Sequence, residues 1–157
     1  MRNQKQDNAR VLFPPPLIYV AAFLLGQRLQ SSLPLPLLLP KTLRTFLSGA
    51  LLGIGITTGA LAVREMKSAG TNIQPQQPTT ALVVEGPYRF TRNPIYLSMT
   101  LIYSGLAILS NALWPLLLLP LPLQLLRRGV IEREEHYLEH KFGERYQRYK
   151  ESVPRWF

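Results

Sequence analysis

Two stretches of this chain concentrate side chains able to bind or to react. The first is GPYRFTRNPIY, residues 86–96, with two arginines, two tyrosines, two prolines and an asparagine in eleven positions. Asparagine followed by proline reads as a helix start, with Asn93 at the cap and Pro94 in the first turn, where a missing N–H costs least. The free N–H groups and positive dipole end of such a helix attract anions. Arg89 and Arg92 add positive charge, and Tyr88 and Tyr96 add flat apolar faces with hydroxyl tips. Together they suit a ligand with an aromatic ring and a carboxylate or phosphate. The same residue types also anchor ordinary membrane helices at the interface, and the residues alone leave both readings open.

The second stretch is RRGVIEREEHYLEHKFGERYQRY, residues 127–149. At helical spacing Arg127, Val130, Ile131, Glu134 and Leu138 share one stripe. Glu134 therefore stands on an apolar face where a helix leaves the membrane. An acid there is costly without a partner, which makes it a functional candidate, and Arg127 is the partner that a purely structural account would choose. Glu135 and Glu139 repel at i, i+4 and are expected on a solvated face. His136 and His140 have the spacing of a metal-binding pair but no third soft ligand, so no metal is expected. Leu138, Phe142, Tyr146, Tyr149 and Val153 recur at three- and four-residue steps, which predicts an amphipathic helix broken near Gly143.

The elements that must position these clusters are oily. Residues 11–26, 43–63 and 95–126 carry no acid and a single base, Arg44, whereas 127–157 hold eight bases and six acids. That segregation marks a multi-pass membrane protein. The formal charge of +9 would otherwise suggest nucleic acid, but no soluble domain remains to carry such a function. Cysteine is absent, which excludes disulfides and thiolate chemistry.

The expected fold is an all-α integral membrane protein of about four transmembrane helices plus a C-terminal amphipathic cytoplasmic helix. The first span is placed at Val11–Gln30, a retained segment entered through Pro14, Pro15 and Pro16, with residues 1–10 frayed. Residues 31–41 are too proline-rich for a regular helix. The second span is placed at Leu43–Val63, where Gly49, Gly53, Gly55 and Gly59 allow close helix approach, within the chain or between chains. Residues 64–93 form a long polar segment, extended around 79–88. Ile95–Ser110 and Leu113–Leu126 form a short hairpin turning at Asn111. Its second arm is expected to kink at Pro120 and Pro122, either for packing or to open a gap. Basic residues at 64–93 and beyond 127 place the N-terminus, that loop and the C-terminal segment in the cytoplasm.

The two clusters in this order resemble the isoprenylcysteine carboxyl methyltransferase family and the related membrane phospholipid methyltransferases. The matching stretches are TALVVEGPYRFTRNPIY at 80–96 and EEHYLEHKFGERYQRYKESVPR at 134–155. The resemblance implies a single membrane domain, with an N-terminal two-helix region at 11–63 and a cofactor-binding core at 71–156. It implies S-adenosyl-L-methionine as methyl donor, bound by Thr80, Ala81, Leu82, Val83, Tyr88, Asn93, Pro94, Ile95 and Tyr96, with Glu134 on the methionine amino group. The implied partners are the bilayer and a lipid-like or prenylated substrate, whose carboxylate is methylated. Two positions depart from the family pattern. Asn93 stands where histidine is common, and Val130 where the isoprenylcysteine enzymes hold the substrate with arginine. Arg92 and Arg127 are then the substrate-orienting candidates. Methylation of a phospholipid amine, a non-catalytic membrane protein and a sterol-reductase-like enzyme are the competing expectations.

Overall fold

The computed structural model describes residues 7–9 and 11–156, and every regular element among them is helical. Helix α1 spans Pro15–Ser32 and α2 spans Lys41–Ser68. A short 3-10 turn at Gly86–Arg89 precedes α3, Pro94–Leu109. The hairpin returns as α4, Leu113–Leu118, and α5, Pro120–Leu126. A π-turn at Arg127–Ile131 leads into α6, Glu132–Phe142, and α7, Glu144–Ser152.

The starts of these helices follow from proline. Pro15 and Pro16 open α1 and Pro94 opens α3, at first-turn positions that have no intrahelical acceptor for an N–H. Inside the hairpin the same residue breaks the ladder. Pro120 and Pro122 offer no N–H, so α4 ends at Leu118 and α5 begins at Pro120. Gly143 ends α6 with φ +53°, a backbone region that side chains with a Cβ avoid, and so produces the expected break before α7.

Helix α3 is the centre of the bundle, with α2 on one flank and α1, α4 and α5 on the other. Small residues set the α2–α3 distance. A Cβ at Gly55 would stand 3.0–3.1 Å from Ile102, Leu101 and the Ser98 carbonyl, and one at Gly59 would collide with the Ser98 hydroxyl. Gly105 of α3 meets Leu52 and the Ser48 carbonyl in the same way. Thus the Gly55–Gly59 pair serves an internal contact, while Gly49 and Gly53 face open space. On the other flank the Tyr19 and Thr100 hydroxyls bond at 2.7 Å and the Tyr103 hydroxyl donates to the Pro115 carbonyl at 2.8 Å. Tyr19, Tyr96, Tyr103, Leu126, Val130 and Ile131 form one core there.

The proline-rich connector is pinned to the hairpin turn. Trp114 Nε1 donates to the Leu33 carbonyl at 2.8 Å, Leu113 N to the Leu35 carbonyl, and Leu37 N to Asn111 Oδ1. The connector and the turn therefore share one end of the bundle. The 69–93 loop, α6 and α7 pack together at the other end.

Several boundaries differ from the sequence expectation. Helix α1 starts at Pro15 rather than Val11, because the prolines themselves open it. Helix α2 runs five residues past Val63, since Arg64–Ser68 hold no breaker. At about 1.5 Å per residue its 28 residues reach roughly 42 Å, more than a hydrocarbon core of about 30 Å. Among the described residues α2 is the helix long and apolar enough to cross a membrane, and α3 is a shorter apolar helix. The expected fraying of residues 1–10 falls partly outside the described residues. Residues 7–9 are tied down: Ala9 is buried, and the exposed Asp7 accepts from the Tyr137 hydroxyl at 2.8 Å and pairs with Lys141 at 2.6 Å.

A test of the helix contact follows. Gly55→Val should lower the thermal midpoint by an amount equivalent to about 1–3 kcal/mol of overpacking, while Gly53→Val should change it little. Equal losses in both variants would show that close α2–α3 approach is not what these glycines provide.

Candidate functional site

The site begins with the N-terminus of α3. Asn93 occupies the cap position, but its side chain makes no capping bond. Instead its Nδ2 donates to the Arg155 carbonyl at 3.0 Å. Asn93 as a side-chain cap is therefore corrected: the amide is drawn to the C-terminal tail, which leaves the first-turn N–H groups of α3 without a side-chain acceptor. Thr91 Oγ1 donates to the same carbonyl at 2.9 Å, and Arg92 N donates to the Pro154 carbonyl at 3.0 Å. The tail at 153–155 thus lies beside the 86–96 knot and is held by its backbone.

A buried ion cluster completes that junction. Glu135 is 7% exposed. Arg155 grips its carboxylate with two bonds, Nε at 3.0 Å and Nη2 at 2.6 Å, and Arg92 Nη1 lies 2.9 Å from Oε1. The expectation of a solvated Glu135 is overturned. The i, i+4 repulsion with Glu139 is removed because Glu139 turns to Lys150 at 2.5 Å while Glu135 turns inward to two guanidiniums. Two cations beside one carboxylate leave the cluster with a net charge of +1, and Arg92 Nε and Nη1 are both buried without a hydrogen-bond partner, so Arg92 meets Glu135 as an ion pair only.

Glu134 points to the other side of α6. The Tyr96 hydroxyl donates into its carboxylate, 2.8 and 2.9 Å from the two oxygens. Burial pushes this carboxyl up to about 7, against the pull of the Tyr96 hydrogen bond and with a further push from the neighbouring Glu135 charge. Arg127 is not its partner. It is exposed on the surface and paired with Glu132 at 3.0 Å. The stripe that joined Arg127 to Glu134 assumed an unbroken α-helix. The π-turn at Arg127–Ile131 carries a wider turn, so residues on either side of it lose α register. The same turn buries Val130 and Ile131 completely in the core.

Between Glu134 and the 3-10 turn lies a cavity that encloses about 840 Å³ when its open mouth is included. Its walls include Ala81, Leu82, Val83, Tyr88, Asn93, Pro94, Ile95, Tyr96 and Glu134, together with Arg92 and Glu135. Thr80 stands outside it. The Thr80 hydroxyl donates to the Gly70 carbonyl at 2.8 Å and its N–H to Thr71 Oγ1 at 2.9 Å, so it fastens the loop to the end of α2. Tyr149 donates to the Tyr88 carbonyl at 2.7 Å and braces the turn from behind.

Sequence reasoning did not name Thr71–Pro75, Met66, Tyr137, Tyr146 and Tyr149 as cavity walls. The loop residues carry no periodic signal. The two tyrosines lie on the predicted apolar face of α6–α7, and that pattern announces burial without saying against what. Tyr137 closes the rim, where its hydroxyl accepts from Thr79 N and donates to Asp7. His136 and His140 are exposed with their Nε2 atoms 3.1 Å apart, and among the described residues no three metal-type ligands come together.

A family model described as phospholipid methyltransferase matches residues 43–145, from α2 to the start of α7. No curated protein and no solved structure matches the chain.

Two outcomes test this geometry. A carboxyl that ionises near 4.5 unfolded and near 7 folded favours the folded state fully below pH 4.5, and that contribution is lost as pH rises through 7. Glu134→Gln never ionises, so its melting temperature should gain on the wild type between pH 5 and pH 8; parallel curves would mean that Glu134 is not desolvated. Glu135→Gln takes the carboxylate from between the buried Arg92 and the partly exposed Arg155 and should destabilise the fold by about 2–3 kcal/mol in chemical denaturation. A loss under about 1 kcal/mol would show that the cluster is solvated.

Proposed function

From the premise that this chain belongs to the phospholipid methyltransferase family, we propose that it is a multi-pass membrane enzyme that transfers a methyl group from S-adenosylmethionine to a lipid-like acceptor, with its active site facing the cytoplasm. In this reading the hairpin α3 to α5, α1 and α2 make the four spans, and α6 and α7 lie at the membrane surface. The single observation that carries the chemistry is the cavity pairing of an uncapped α3 N-terminus with a desolvated carboxyl, Glu134.

The residues present fit the methyl donor. The free first-turn N–H groups of α3 suit its carboxylate, as helix N-termini suit anions generally. Tyr88, Leu82 and Val83 supply apolar and aromatic wall for its ring. Glu134 suits its ammonium group, and an adjacent cation would bring the raised carboxyl back into its ionised form. Bound there, S-adenosylmethionine supplies a methyl group on a sulfonium, open to in-line displacement.

The chain's share of the work is alignment and exclusion of water. Tyr96 fixes the rotamer of Glu134, and Tyr137 with residues 72–75 and Ala9 covers the rim. Charge favours an anionic acceptor. The Arg92–Glu135–Arg155 cluster carries +1, an ionised Glu134 carries −1 and the methyl donor +1, so a carboxylate brings the whole to neutrality. Arg92 is the cation that lines the cavity, and Arg127 is excluded by its surface position. A carboxylate is ionised at neutral pH and needs no general base. The acceptor we favour is accordingly the carboxylate of an isoprenylated thiol or a similar lipid.

Methylation of a phospholipid amine is the second reading. It is supported by the description of the family.

Purified protein in mild detergent, given methyl-labelled S-adenosylmethionine with a prenylated thiol carboxylic acid or an ethanolamine lipid, separates the two. A base-labile methyl ester on the first supports the leading reading, whereas a base-stable label on the second supports the alternative. Glu134→Ala should weaken donor binding at least tenfold. No donor binding by the wild-type protein would leave a non-catalytic membrane protein as the function.

A further inference from the structure

Beside the cavity, on the outer side of the 82–90 segment, lies a second concentration of charge. Arg89 from the 3-10 turn and Arg145 and Arg148 from α7 line one shallow groove floored by Leu82, Val84 and Val153. All three arginines are exposed. Among the described residues none of them has an acidic group within ion-pair distance, whereas Arg64, Arg92, Arg127, Lys141, Lys150 and Arg155 are each paired. Phe90, next to Arg89, is 76% exposed.

Three unpaired guanidiniums around one concavity repel each other until an anion joins them. Guanidinium forks match phosphate oxygens, often with two parallel bonds. An apolar floor gives a bare phosphate ion nothing to bury against, but it accommodates the glycerol and upper acyl carbons of a lipid. An exposed ring beside the cations suits the boundary between headgroups and chains. Basic clusters at the cytoplasmic surface of a membrane bind anionic lipids with about 1 kcal/mol per basic residue, roughly a fivefold change each.

We propose that this groove binds the phosphate of an anionic phospholipid, at a place separate from the reaction cavity. The proposal rests on the membrane placement given above, not on methyl transfer. Glu134 and Tyr96 are not among the groove's walls, so the lipid held there is not the methyl acceptor. Leu82 and Tyr149 line both the groove and the cavity, so an occupied groove steadies the wall against which the methyl donor packs.

The test is thermal unfolding of the full chain in a neutral detergent, without methyl donor, titrated with short-chain phosphatidylglycerol, phosphatidylcholine of the same chain length, or inorganic phosphate. Phosphatidylglycerol should raise the midpoint saturably. Phosphatidylcholine should not, and inorganic phosphate should need at least tenfold higher concentration. Arg145→Gln with Arg148→Gln should shift the phosphatidylglycerol titration roughly 25-fold to weaker binding. Should that double variant melt early without lipid, Arg89→Gln on the other wall should give a shift of roughly fivefold. Equal stabilisation by phosphatidylcholine, equal potency of inorganic phosphate, or unchanged titrations in the variants would each overturn the proposal. Donor binding by the wild type, measured separately, stands or falls independently of these results.

Discussion

The structure turns on one carboxylate shared by two arginines. Glu135 belongs to α6, Arg92 to the knot before α3, and Arg155 to the tail after α7. Those three places are far apart in sequence, and their meeting fixes where α6 crosses the end of the bundle. Burying this carboxylate is tolerable because Arg155, itself partly in water, donates two bonds to it, Arg92 pairs with it at 2.9 Å, and the tail's carbonyls take up the knot's N–H, hydroxyl and amide donors. Glu134 is the next residue along. Once Glu135 is locked inward between Arg92 and the tail's Arg155, the orientation of α6 is set, and Glu134 reaches Tyr96. Two adjacent acids with opposite duties follow from one rotation of α6.

The same economy appears at the start of α3. A capping asparagine would close the helix end; this one reaches to the Arg155 carbonyl and leaves the end open. Structural work on the tail and availability for a ligand are thus two results of a single side-chain orientation. Further down, α3 can sit close to α2 because glycines 55 and 59 remove side chains where Ser98 and Ile102 need room. That close contact carries the knot to the end of α2, where Ala62 and Met66 back Tyr88 and Tyr146.

Much of this was legible along the chain. Proline positions announced the start of α3 and the break within the returning arm, because a missing N–H acts locally, whereas the start of α1 was placed four residues early. Gly143 announced the gap between α6 and α7 for a similarly local reason. The three- and four-residue recurrence of Leu138, Phe142, Tyr146, Tyr149 and Val153 announced a buried face. Other features were hidden. Helical spacing singled out Glu134 on its apolar stripe, but like-charge spacing wrongly sent Glu135 to solvent. Arg127 was misplaced because a π-turn leaves no mark in hydrophobic spacing. Thr71–Pro75 carry no period at all.

What the sequence by itself determined is therefore the local and the periodic: an all-helical, apolar chain, the start of α3 and the breaks at Pro120 and Gly143, and two polar clusters at helix ends resembling a methyltransferase family. Those properties depend on backbone hydrogen bonding and on 3.6-residue spacing, which act over a few neighbours. Only the tertiary structure decided that Glu135 is buried against Arg92 and Arg155, that Asn93 reaches for the tail instead of capping, and that three arginines share a groove. Each of these depends on which distant group stands opposite, and charge pairing and desolvation are settled across space between residues that no spacing along the chain relates.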